Sequence, residues 1–195
     1  FLLRALVRDL PVYDYVYLGD TKRVPYGNRS PETVYEFTRE AVEYLFYKQQ
    51  CRIVIIACNT ASALALRRLQ QEFLPRHFPD RRILGVLAPL VEAVEERQLR
   101  RIGVLATQAT IRSGAITREL KKRVPGVAVF EHAAPLLVPM VESGELQWAD
   151  AVITAYLKPL LEYGVDGLLL GCTHYSILKR RIRRIAGKDI SAISQ

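Results

Sequence analysis

Two cysteines carry the clearest chemical signal in the chain. Cys58 lies in "RIVIIACNTAS" (52–62) and Cys172 in "DGLLLGCTHYS" (166–176). Each ends an apolar run and is followed at once by hydroxyl or amide side chains. A thiol at a helix N-terminus meets free N–H groups and the positive dipole end, which lower its pKa from a free value of about 8.5. Both sulfurs are therefore expected to be reactive. Ala57-Cys58-Asn59-Thr60 also resembles Gly171-Cys172-Thr173-His174, as if two similar halves each gave one thiol to a shared cleft.

The rest of the sequence narrows what two thiols could do. A dithiol redox pair needs Cys-x-x-Cys, which does not occur. Cys51, Cys58, Cys172 and His174 lack the paired spacing of a zinc site. A cysteine hydrolase needs one nucleophile and a base, a part His174 could take, but its second cysteine would be idle. Two-base proton transfer uses both sulfurs. One thiolate removes a proton from one face of a carbon, the other thiol returns a proton to the opposite face, and the centre inverts. Cys51 has no comparable polar neighbours and reads as packing between a helix and a strand.

A scaffold must hold these sulfurs, and the pattern around them is regular. Strands are expected at Tyr13–Leu18, Ile53–Ala57, Ile83–Leu87, Ile102–Ala106, Val127–Glu131 and Gly167–Leu170. The opening "FLLRALVRDLP" reads as helix interior. Further helices are expected from Ser30, an N-cap with Pro31 at N1, and over Thr60–Phe73, Val91–Gln98, Ile111–Arg123, Trp148–Tyr163 and Ser176–Ile185. Strands alternating with helices imply βαβ units and parallel sheets. In such sheets the site lies beyond the strand C-termini, where Cys58 and Cys172 both fall.

Composition sets the outer bounds. The 195 residues are half hydrophobic, enough for one large α/β domain or two small ones. No apolar run approaches the roughly 18 residues of a membrane span. An odd count of three cysteines, with no export signal at the start, points to free thiols in a reducing cytoplasm. The net charge of +8 is partly concentrated in "KRRIRR" (179–184). Leu178, Ile182 and Ile185 recur there at helical spacing, so the charges read as the solvated face of a helix rather than a nucleic-acid surface.

Four motifs, "GDTKRVPYGNRSPETV", "IACNTASA", "LVPMVESGE" and "LGCTHYSIL", occur in order over nearly the whole chain. Together they resemble the cofactor-independent glutamate racemases of the aspartate/glutamate racemase superfamily. The resemblance implies two similar α/β domains with the active site in the cleft between them. It implies interconversion of L- and D-glutamate for peptidoglycan, with no pyridoxal phosphate and no metal. By position, Cys58 and Cys172 would be the catalytic thiols, with Glu142 and His174 assisting near the second. Asn59, Thr60 and Thr173 would hold the substrate's charged groups. Pro25, Tyr26 and Gly27 would line the pocket, and Thr110, with Thr107, would contact substrate. Asp20 reads as a brace for the loop.

The domains are expected at 1–82 and 83–185, with 186–195 starting a segment that returns to the first. The family also has an upstream strand ending in Asp-Ser-Gly and a longer C-terminus. The first domain is therefore expected to be incomplete at both ends, and this stretch alone to be poorly active. Aspartate or hydantoin racemisation, a non-catalytic binding role and a homodimer stay open. No nucleic-acid or membrane partner is expected.

Overall fold

The computed structural model describes residues 2–194, so Phe1 of the opening helix reading and Gln195 of the return-segment reading lie outside it. The chain begins with α1 (Leu2–Asp9) and α2 (Pro31–Tyr47), followed by β1 (Ile53–Ile56) and α3 (Asn59–Leu64). Helix continues through α4 (Leu66–Arg68), a π turn at Leu69–Phe73 and α5 (Leu74–His77), before β2 (Arg82–Gly85) and α6 (Leu87–Glu96). Next come β3 (Arg101–Ala106), α7 (Gln108–Ser113), α8 (Ala115–Arg123), β4 (Ala128–Ala133) and α9 (Leu137–Ser143). A 3₁₀ turn (Leu146–Trp148) leads into α10 (Ala149–Glu162), β5 (Gly167–Gly171), α11 (Tyr175–Ala186) and β6 (Ser191–Ile193).

Two parallel sheets result, β1-β2 and β4-β3-β5-β6. The second is covered on both faces, and its central strands show why they read as unbroken apolar runs. On β5, Leu168 and Leu170 face the core under α9, α10 and α11, while Leu169 faces the core under α6 and α8. On β3, Leu105 joins the first of these cores, and Ile102, Val104 and Ala106 join the second. The first sheet packs one face, Val54, Ile56 and Ile83, against α2 and the helical stretch 59–77. Its other face is open, with Ile53, Ile55 and Leu84 exposed.

Several sequence expectations change. Residues 14–18 form no strand, and Tyr13, Val16 and Tyr17 stand exposed. A strand exists only as part of a hydrogen-bonded ladder, and among the described residues none pairs with these. The helix expected over 111–123 is two helices, because Gly114 adopts a left-handed conformation (φ 60°) that caps α7 and restarts the chain as α8. The helix expected over 60–73 runs on to His77 through a π turn just ahead of Pro75, whose ring cannot follow a regular helix. Helix α9 was not expected. Residues 191–193, assigned to a segment leaving for the first domain, are the fourth strand of the second sheet, paired with β5.

Helix α11 carries the basic run. Arg181 and Arg184 pair with Asp150 of α10, and Arg180, Arg183 and Arg184 face solvent, as its helical spacing anticipated. Among the described residues no helix is long and apolar enough to cross a membrane.

Tyr175, at the start of α11, is fully buried and donates its hydroxyl to the Ala134 carbonyl at 2.8 Å, tying the helix that follows Cys172 to the end of β4. Tyr175→Phe should lower stability by about 1 kcal/mol with the slope of a urea melt unchanged, the usual net worth of one such bond. An unaltered urea midpoint would show that this bond does not hold α11.

Candidate active site

The strand order of the second sheet places a crevice. From β3 the chain crosses to β4 on one side, then to β5 on the other, so the order reverses beside β3. Ligands in open parallel sheets bind beyond the strand C-termini at such a point. Ala106 and Gly171, the last residues of β3 and β5, are paired in the ladder. The next residues are Thr107 and Cys172. The first sheet brings Cys58 from the C-terminal end of β1, and α3 packs directly on α7.

Cys172 is 6% exposed. Backbone N–H groups of His174 and Tyr175 point at its sulfur, and His174 Nδ1 lies 3.8 Å away. The other ring nitrogen, Nε2, is 2.5 Å from Glu142 Oε1 near the end of α9. That contact assigns the Nε2 proton to the carboxylate and leaves Nδ1 as the acceptor facing the thiol. The unexpected helix α9 thus brings Glu142 to His174, 32 residues away in sequence.

Cys58 is the N-cap of α3, with extended backbone (φ −92°, ψ 126°). The N–H groups of Ala61 and Thr60 and the Thr60 hydroxyl face its sulfur. Cys51 stays a packing residue against the first core. Among the described residues, no three His, Cys, Asp or Glu side chains converge in a cluster that could hold a metal.

The helix ends supply the donors that the sequence promised, yet the thiols do not ionise easily. Burial pushes the Cys58 thiol up despite its N–H contacts. Burial, with a smaller contribution from the neighbouring Cys58, pushes Cys172 up to about 12. The expectation of lowered values is corrected: removing water from a thiolate outweighs two or three backbone dipoles. The mutual term has a consequence of its own. A charge on one sulfur opposes a charge on the other, so the pair resists carrying two thiolates at once.

The remaining candidates divide by whether their polar atoms are committed. Thr60, Thr107 and Thr110 are buried, and their hydroxyls bond one another at 3.0, 3.2 and 2.9 Å. Thr107 also caps α7 by accepting from the Thr110 N–H. These three close on each other across the junction of the two sheets. Asn59 is different. It is 1% exposed, and neither Nδ2 nor Oδ1 has a partner. A buried amide with nothing to bond costs stability. The half-buried Thr173 also leaves its hydroxyl uncommitted.

The loop before α2 completes the surroundings. Val24-Pro25 is a cis bond, and Pro25 is exposed. The half-buried Tyr26 lies within electrostatic reach of Cys58. Gly27 abuts Thr107 so closely that a Cβ there would lie 2.8 Å from the Thr107 Cβ. One structural residue escaped the sequence reading. The Ser62 hydroxyl donates to Ile56 O and accepts from Val86 N–H, joining the ends of β1 and β2 beneath Cys58. Only its place in the first turn after a strand hinted at this.

Raised thiols should be slow to alkylate. Peptide-resolved labelling of native protein with iodoacetamide should climb at Cys172 by about tenfold per pH unit beyond pH 9, because the thiolate fraction is still growing. The urea-unfolded chain should level off near the free value of about 8.5. The same inequality makes the unfolded state release its proton first, so native stability should fall as pH rises from about 8.5 toward about 12. A native labelling plateau at pH 9 would contradict the burial of Cys172.

Comparison with known proteins bears on all of this. The Asp/Glu/Hydantoin racemase family model matches residues 2–193. A glutamate racemase of Aquifex aeolicus is 45% identical over 185 residues, which are 93% of this chain and 69% of that one. One from Geobacter metallireducens is 41% identical, covering 98% of this chain and 70% of its own. The crystal structure of a glutamate racemase isoform from Bacillus anthracis superposes with a TM-score of 0.88 at 34% identity, covering 98% of this chain and 71% of that one. The Francisella tularensis glutamate racemase in complex with D-glutamate gives 0.88 at 32% identity, with 99% and 70% covered. With its two parallel sheets, its thiols at two strand ends and these relatives, the chain belongs to the Asp/Glu/Hydantoin racemase family.

Proposed function

We propose that this chain is a glutamate racemase that interconverts L- and D-glutamate by proton transfer at Cα between Cys58 and Cys172, and so supplies D-glutamate for peptidoglycan. The observation that carries the mechanism is the coupled pair of thiols, each at the end of a parallel strand and each at the start of a helix. A pair that resists two charges at once keeps one sulfur protonated as the acid when substrate draws the other into the thiolate. Two-base inversion needs that in either direction.

Glutamate brings two carboxylates and an ammonium. Backbone N–H groups at the starts of α3 and α11 suit a carboxylate, and the unpartnered amide of Asn59 with the free hydroxyl of Thr173 supplies further bonds. The substrate ammonium would place a positive charge beside a sulfur that burial keeps neutral, and an opposite charge favours the thiolate. The Cα proton is weakly acidic, so donors fixed around the carboxylate must stabilise the charge that develops there.

The two thiols differ in their assistance. His174, oriented by Glu142, can take the Cys172 proton at Nδ1 and return it. Cys58 relies on the Thr60 hydroxyl and two N–H groups. Thr107 and Thr110 act through Thr60 by holding it in place, while Pro25, Tyr26 and Gly27 wall the cleft. In this reading residues 1–82 and 83–185 are two domains that each give one thiol. The three free thiols suit a reducing compartment such as the cytoplasm.

Cys58→Ala and Cys172→Ala should each abolish racemisation, followed by circular dichroism of D- and L-glutamate. In deuterated water the product should gain deuterium at Cα. Turnover retained in both directions by either variant would end the two-thiol mechanism. Turnover of aspartate but not glutamate would move the chain to a different substrate.

Asn59→Leu separates binding from folding. It replaces two unsatisfied polar atoms by an apolar side chain of similar size, so stability should hold or rise by up to about 1 kcal/mol while KM rises at least about tenfold. A loss of stability would show that Asn59 is bonded within the fold and not reserved for substrate.

A further inference from the structure

Asp20 is not among the groups that face substrate in this reading, yet it anchors the loop that carries Tyr26 and Gly27. Its side chain is 16% exposed. One oxygen, Oδ2, accepts from the Tyr26 hydroxyl at 2.5 Å and from Arg23 Nε at 2.7 Å. Arg23 continues to Glu40 of α2 at 2.5 Å, and its guanidinium lies 4.2 Å from the centre of the Phe37 ring, also on α2. Tyr26 meets the same ring edge-on at 5.9 Å. Arg29 Nε donates to the Arg23 carbonyl at 2.9 Å, closing the loop on itself. One side of the loop is thereby clamped to the first sheet's helix.

The other side reaches the second sheet. The Ala109 N–H, in the first turn of α7, donates to Gly27 O at 3.1 Å, and Gly27 sits against Thr107 with no room for a Cβ. Between these two attachments Tyr26 lies within electrostatic reach of Cys58. Burial, the bond to Asp20 and the charge of Asp20 all hold the phenol neutral, so it stays a donor.

We propose that Asp20 is a positioning residue: with Arg23 it grips the Tyr26 hydroxyl and seats residues 20–29 as a strap from α2 to the start of α7, within electrostatic reach of Cys58. The inference rests on the racemase reading for what the strap encloses, but the strap itself is a matter of structure. Asp20 acts through Tyr26 and touches neither sulfur nor substrate. A charge-assisted bond to a buried carboxylate is strong enough to fix a loop that otherwise has little regular structure. The strap lies in place in ground and transition states alike, so loosening it weakens binding more than chemistry.

Two measurements test this. In racemisation assays, Asp20→Ala and Tyr26→Phe should each raise KM by about tenfold with kcat changed little, the effect of one charge-assisted bond. The double variant should be no worse than the singles, because both remove the same contact. Asp20→Asn, which keeps an acceptor oxygen, should fall between wild type and Asp20→Ala. Effects that multiply in the double variant, or a kcat loss confined to the direction served by Cys58, would overturn the latch. The second measurement needs no turnover. Trypsin should cut after Lys22, Arg23 and Arg29 at least about tenfold faster in Asp20→Ala, while cleavage after Lys121, Lys122 and Arg123 is unchanged. An unchanged rate within the strap would overturn the proposal whatever the substrate proves to be, and faster cutting would sustain it even if glutamate is not turned over.

Discussion

Thr60, Thr107 and Thr110 meet where the two sheets join, and their three hydroxyls satisfy one another away from water. Each would be costly to bury alone, so the trio is stable only while both halves are in register. Thr60 follows Cys58 by two residues, and Thr107 follows the strand paired with the one that ends just before Cys172. A methyl group in place of any one hydroxyl would take a partner from each of the other two.

The thiols sit in the environment this junction creates. Close packing removes water, and the thiolates lose more from that than they gain from nearby N–H groups. An unliganded site with two neutral thiols is resistant to stray alkylation and oxidation. Asn59 lies in the same surroundings with neither amide atom partnered, at a small cost in stability.

The two halves are alike in plan and unlike in detail. Cys172 has His174 and Glu142 behind it, brought together by α9 and α11. Cys58 has a hydroxyl, two backbone donors and the aromatic wall of Tyr26.

Much of this was legible in the sequence. Apolar runs ending in Cys58 and Cys172 marked buried strands and their C-terminal ends, because a strand covered on both faces admits no polar alternation. Gly, Pro and Ser marked where helices begin, and the four motifs named the family. Local sequence could not supply what depends on a partner. Residues 13–18 have strand-like composition, but a ladder needs a neighbour, and among the described residues none pairs with them. The helix-end donors predicted acidic thiols, whereas their pKa values depend on how much water the packing of distant elements excludes. Asn59 and Thr60 are adjacent and both polar, yet one is left open and the other closed. Only the approach of α7, some 50 residues on, decides which.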